Sequence, residues 1–120
     1  MKESINELVS ICHQNSVNAG WYNDPISGEP LKRNVPEMLM LIVSEVSEAM
    51  EGIRKNLIDD HLPYRKMGEV ELADALIRIC DLSGYLKYDL GGATVEKIEY
   101  NKHRPDHKVE NRVKENGKQF

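Results

Sequence analysis

The sequence predicts an all-α protein of four helices, and three observations carry that prediction. Apolar residues recur at spacings of three and four along most of the chain. No run of alternating apolar and polar residues is long enough for a strand. The prolines fall between the helical runs or in a first turn, where they do not interrupt helical hydrogen bonding. At 120 residues the chain is one domain by length.

The first helix is expected over Ser4–Asn18, with Ile5, Leu8, Val9 and Cys12 on one face and Ser4-x-x-Glu7 as a capping box. Residues 19–35 contain Gly20, Pro25, Gly28 and Pro30 and read as a loop that also holds the single tryptophan, Trp21. A loop of this length in a compact domain tends to be functional. The second helix spans Pro36–Lys55, capped by Asn34 with Pro36 in its first turn. A connection with Pro63 follows. The third helix runs from Gly68 to Asp89 and stops at Gly91-Gly92. The fourth starts at Thr94 as N-cap and ends at Arg104-Pro105. This organisation predicts a helical domain over residues 1–105 and a charged tail over 106–120, mobile or docked on a neighbouring subunit.

Composition narrows the function. The net charge of -4 disfavours a protein that grips a nucleic-acid backbone, which carries a basic surplus. Cys12 and Cys80 lie inside apolar helical patterns and read as free, buried thiols. The N-terminus lacks a signal-peptide pattern, and the longest apolar run, 38–43, is too short to span a bilayer. The expected compartment is the cytoplasm, with no membrane partner.

Helix three is the informative element. Its polar residues Glu71, Asp74, Arg78, Asp81 and Tyr85 follow spacings of three and four, so they form one narrow stripe on an otherwise apolar helix. Asp81 reads as the partner of Arg78. On helix two, Leu39, Ile42, Val43, Val46, Met50 and Ile53 form the expected core stripe. Glu45 and Glu48 lie opposite it, beside Met38 and Leu41. Glu45 and Glu48 are neighbours three residues apart, as are Glu71 and Asp74, and like charges at that spacing repel. Four converging carboxylates in a partly buried place must either protonate or hold cations. A hard divalent ion such as magnesium takes a few carboxylates, waters and substrate phosphates as ligands. Di-iron bundles need Glu-x-x-His pairs, and this sequence has none.

The order Glu45-x-x-Glu48, spacer, Glu71-x-x-Asp74 resembles the signature of the all-α nucleoside triphosphate pyrophosphohydrolases, and the surrounding segments resemble the MazG-like branch. Those segments read SEVSEAMEGIRK, GEVELADALIRICDLSGYL and KIEYNKHRP. The stretch HQNSVNAGWYND is similar to the nucleotide-facing segment of the same group. The resemblance covers about His13 to His107. It implies a four-helix MazG-like bundle completed by oligomerisation, in which Glu45, Glu48, Glu71 and Asp74 hold magnesium, with manganese as a substitute. It also implies that Lys97, Asn101 and Arg104, in K-x-x-x-N-x-x-R, meet the nucleotide phosphates. Lys97 and Asn101, four apart, share a helix face. Trp21 is a candidate for stacking on the base or for the core, and Glu48 is a candidate general base. His13 reads as a residue of the polar helix face and not as a base, in a segment that can lie near the nucleotide.

The implied reaction converts a nucleoside or deoxynucleoside triphosphate and water to monophosphate and pyrophosphate, for nucleotide-pool control and with dGTP as one candidate substrate. dUTP and phosphoribosyl-ATP are alternatives within catalysis. A non-catalytic helical module that binds a basic partner through its acidic stripes is the alternative outside it. Apolar surface round most of helix three, and Met38 and Leu41 opposite the stripe of helix two, exceed what one four-helix layer covers. They predict a homo-oligomer, a dimer at minimum, which the resemblance extends to a tetramer of two dimers.

Overall fold

A computed structural model describes residues 1–120 and is all-helical: α1 (Lys2–Asn18), α2 (Val35–Arg54), α3 (Met67–Tyr85), α4 (Leu90–Lys102) and α5 (Val109–Arg112), with a 3₁₀ turn at Pro105–His107. There are no strands, only the isolated bridges Asn23–Pro30 and Ile58–Lys66. No helix is long and apolar enough to cross a membrane. The chain divides into two compact units: Glu7–Tyr88, and Met1–Asn6 together with Asp89–Phe120. The boundary expected after residue 105 falls inside the second of these.

In the unit Glu7–Tyr88, α2 and α3 form an antiparallel pair. Gly52 near the end of α2 lies against Met67 at the start of α3, Glu45 reaches Arg78, and Met38 near the start of α2 shares a buried cluster with Leu82. Asn34 caps α2 as expected, its Oδ1 accepting from the Glu37 N–H at 3.1 Å. Asn56, in the left-handed region at φ 51°, follows the end of α2. Tyr22, Met38 and Leu82 are buried together, and Val17, Ile42, Tyr85 and Leu86 pack around them. Cys12 and Cys80 are buried free thiols, as their patterns predict.

The face of α2 that turns inward corrects the expected core stripe. Met38, Ala49 and Gly52 are buried, whereas Leu39, Val43, Val46, Met50 and Ile53 are half-exposed or more. The apolar stripe is real but uncovered in the single chain, and only Ile42 packs on the buried cluster. The physical reason is size. Gly52 and Ala49 let α3 approach closely, since a Cβ on Gly52 would meet Met67 Cγ at 2.8 Å. Helix α3 shows the same division. Ala75, Cys80, Leu82 and Ser83 are buried, while Leu72, Leu76, Ile77 and Ile79 are exposed.

In the unit Met1–Asn6 with Asp89–Phe120, the helix boundaries differ from those expected. In the unit Glu7–Tyr88, too, α3 already ends at Tyr85, followed by Lys87 at φ 59°. Asp89, not Thr94, caps α4 by accepting from Gly92 N–H at 2.9 Å. Thr94 lies inside the helix, its hydroxyl donating to the Leu90 carbonyl at 2.7 Å. The glycine pair does not stop a helix. It occupies the first turn of α4, where Gly91 N–H donates to Asn6 Oδ1 at 2.8 Å and a Cβ would collide with that side chain. Asn6 also donates to Asp89 at 2.9 Å. Ser4 sits within the first turn of α1, which begins at Lys2, so the expected capping box is not the helix start. The charged tail contains the 3₁₀ turn and α5.

Candidate metal and nucleotide site

The α2–α3 pair brings the predicted acids together across its seam. Glu45, Glu71 and Asp74 each offer a carboxylate oxygen, all within 4.8 Å of one another and partly buried, a set able to hold a metal ion. Glu48, one turn further along α2, is exposed and lies outside this trio, but its carboxylate is within hydrogen-bonding reach of Glu71. Burial first, then the hydrogen-bonding carboxylates of Glu45 and Glu48, push the Glu71 pKa up to about 8. Its Oε2 is buried and has no partner. A buried oxygen without a protein partner among other carboxylates fits a place that takes up a proton or a cation. Burial and the negative charge of Glu45 likewise raise Asp74, against the lowering effect of Arg78.

Arg78 corrects one expected pairing. Its Nε donates to Glu45 Oε1 at 2.9 Å, not to Asp81. Asp81 instead accepts from the Tyr22 hydroxyl at 2.8 Å and from His13 Nδ1 at 2.9 Å, both on Oδ1. The partner being a carboxylate, His13 carries its proton on Nδ1. The His13 side chain is partly buried and its ring stands edge-on to Tyr22 at 4.9 Å. Tyr22 stacks on Tyr85 at 5.2 Å. Burial and the Asp81 bond raise the Tyr22 phenol well above its usual range.

Beside the acids lies a cavity of about 530 Å³, within the range of small-molecule sites. Glu45, Asp74, Arg78 and Asp81 line it on the polar side, and Met38, Leu41 and Ile77 on the apolar side. Ser16, Trp21, Arg33 and Glu37 complete the wall. Trp21 is 66% exposed and so belongs to the cavity and not to the core. Arg33 is held by its Nη1 bond to the Trp21 carbonyl at 3.1 Å and lies over the Tyr22 ring at 5.4 Å.

The three C-terminal candidates lie on and just after α4. Lys97 is exposed, with its ammonium over the Tyr100 ring at 4.5 Å. Asn101 has a buried Oδ1 without a partner. Arg104 makes a two-pronged pair with Asp106, at 2.6 and 3.0 Å, so its expected phosphate-binding fork is already engaged. That contact holds the Asp106 carboxyl down at about 2.

Sequence reasoning missed Arg33, whose place in the cavity depends on a loop fold, and the Asp81–His13–Tyr22 cluster, whose members are up to 68 residues apart. It also missed Asp59, 3% exposed in the α2–α3 connection and close enough to raise Asp74 through its charge. Asp59 accepts from the N–H groups of His61 and Leu62, and the short pattern Asp-x-His-Leu was the signal available for such a turn. No family model, curated protein or solved structure matches this chain.

Proposed function

We propose that this protein is a magnesium-dependent nucleoside triphosphate pyrophosphohydrolase of the MazG-like kind, converting a nucleoside or deoxynucleoside triphosphate and water to monophosphate and pyrophosphate. The observation that carries the reading is the sharing of Glu45 and Asp74 between the carboxylate trio and the wall of a nucleotide-sized cavity. A triphosphate bound there would lie with its phosphates at the acids and its base in the cavity.

Glu45, Glu71 and Asp74, with Glu48 beside them, would hold magnesium, or manganese in its place. Such an ion, when held there, would neutralise phosphate charge and make a water more acidic. Arg78 orients Glu45 through its 2.9 Å bond and keeps one of its oxygens directed across the seam. Glu48, exposed and adjacent to Glu71, accepts the proton of the water that attacks the α-phosphorus. The pyrophosphate leaves and the proton passes to solvent. Lys97, Asn101 and Arg104 bind phosphate in this reading on the resemblance alone, and Arg104 must first give up Asp106.

The exposed stripe of α2 and its counterpart on α3 support a homo-oligomer, a dimer at minimum and by the resemblance a tetramer, in which a second copy covers Val43, Val46 and Leu76. The decisive experiment incubates a panel of eight ribo- and deoxynucleoside triphosphates with protein and magnesium and separates the products. Monophosphate and pyrophosphate in equal amounts are expected. Orthophosphate with diphosphate, or no product from any member, refutes the proposal.

A further inference from the structure

We infer that Arg78 grips a substrate phosphate: its Nε keeps Glu45 in place, while its terminal amino groups, Nη1 and Nη2, take the phosphate on the cavity side of the acids. The inference rests on the nucleotide reading above and adds to it a residue that touches the substrate.

Asp74, Arg78 and Asp81 follow one another along α3, and all three line the cavity. Arg78 stands one turn beyond Asp74, about 6 Å along the axis at the helical rise. Across the seam its Nε donates to Glu45 Oε1 at 2.9 Å. Glu45 and Asp74 both belong to the trio able to hold a metal ion. A phosphate chain anchored at the trio therefore passes Arg78 on its way into the cavity. Arg78 is close enough to Asp74 for its charge to oppose the rise in that carboxyl.

The guanidinium is only partly used. An arginine carries its N–H donors in a planar fork, and Glu45 is the only protein acceptor that this one meets, through Nε. Nη1 and Nη2 are left over, on a side chain that is 42% exposed. The bond at Nε fixes the plane of the fork, and the two amino groups then stand as a pair matched to two phosphate oxygens.

The charge balance calls for such a residue. A triphosphate carries more negative charge than one divalent ion cancels, and the surrounding acids add to it. Arg33 and Arg78 are the cations of the cavity wall. Arg33 donates to the Trp21 carbonyl and lies over the ring of Tyr22, whose hydroxyl bonds Asp81. It thus stands at the Asp81 end, about 10 Å along α3 from Asp74. Arg78 is the cation at the acids. Among the C-terminal candidates, the Arg104 fork is already closed on Asp106.

The test compares each nucleoside with its own 5′-monophosphate, so that base and sugar cancel and the phosphate remains. The fluorescence of Trp21, the single tryptophan and part of the cavity wall, is followed while the full chain with magnesium is titrated. The ligands are adenosine, guanosine, cytidine and uridine and their four monophosphates, in parallel with the product assay on the triphosphates. In the wild type the best-bound monophosphate should bind about tenfold or more tighter than its nucleoside, the scale of hydrogen bonds to a charged group. Arg78→Gln should lower that ratio by about tenfold and keep the nucleoside affinity, which a damaged fold would not keep. Arg78→Lys retains the charge without the fork and should fall between. If Arg78 serves only as the counter-ion of Glu45, Arg78→Gln changes magnesium binding and leaves the ratio as it was, and that result overturns the inference. An undiminished ratio in Arg78→Lys overturns the two-pronged contact. Equal wild-type affinity for nucleoside and monophosphate overturns the inference without any variant. Pyrophosphate release together with an unchanged ratio in Arg78→Gln removes Arg78 from the site and leaves the enzymatic reading standing. Absence of both monophosphate binding and hydrolysis overturns the two together.

Discussion

Arg78 on α3 donates through Nε to Oε1 of Glu45 on α2 at 2.9 Å. This bond crosses the seam where Glu45, Glu71 and Asp74 converge, and it places a cation beside charges that would otherwise repel one another. The pair is unequal in exposure: the Glu45 side chain is 12% exposed and that of Arg78 42%. The acid is thus the buried member and the arginine its solvent-facing counterweight. The predictions that follow concern how this seam, and the apolar surface around it, respond to change.

Neutralising the trio separates activity from stability. Asp74→Asn or Glu71→Gln removes a charged ligand and is expected to lower turnover by at least about a hundredfold, the scale on which losing an interaction made in the transition state acts. The metal-free variants should melt no lower than the parent: Asp74→Asn removes a like charge, and Glu71→Gln replaces a carboxyl that already holds its proton below about pH 8. Steady-state kinetics and melting curves in chelator check both halves. Wild-type turnover in either variant at saturating magnesium refutes the site.

The raised Glu71 pKa gives the metal-free protein a pH dependence of definite sign. The group titrates at about 8 in the fold against its ordinary 4.5. Between these values the folded chain holds a proton that the unfolded chain has released, so stability must fall as pH rises through that window. The slope is at most about 1.4 kcal/mol per pH unit for one proton fully transferred. Urea unfolding in chelator at pH 5.5 and pH 8 should show lower stability at the higher pH. Glu71→Gln should flatten the difference, and an equal slope in that variant would assign the effect elsewhere. Magnesium should oppose the loss, since its binding displaces the proton.

The uncovered stripe predicts assembly. Sedimentation equilibrium at micromolar concentration should give a dimer or larger species. Val43→Arg and Leu76→Arg each place a charge in the apolar surface of a different helix and should shift the equilibrium to monomer. A wild-type chain that stays at 13.7 kDa across the range defeats the oligomer reading.

Gly84 tests the contact between α1 and α3. A Cβ there would meet His13 Cβ at 2.5 Å, and that atom sits next to the backbone and cannot swing aside. Gly84→Ala should cost about 1–3 kcal/mol of stability, the range for overpacking. Because His13 moves with α1, its bond to Asp81 should be disturbed as well. A melting temperature equal to wild type would mean that α1 lies further from α3 than described.

The sequence by itself determined the helical character of the chain, the cap at Asn34 and the pairing of Glu45 with Glu71 and Asp74 as neighbouring acids. These depend on local spacing: three- and four-residue periods put side chains on one face of a helix whatever it packs against. For the same reason Glu71 and Asp74 were legible as a pair. Only the tertiary structure decided which apolar face of α2 is covered. Both faces are apolar, and the choice rests on how closely Gly52 and Ala49 let α3 approach. It also decided that Gly91 serves a close approach to Asn6 and not a helix stop, because a glycine in sequence does not reveal what lies against its missing Cβ. The partners of Arg78 and Asp81 belong to the same class. Spacing set them one turn apart on α3, yet Arg78 turns across to α2 and Asp81 to α1 and the Tyr22 loop. Those contacts span 33 to 68 residues, a distance over which periodicity carries no information.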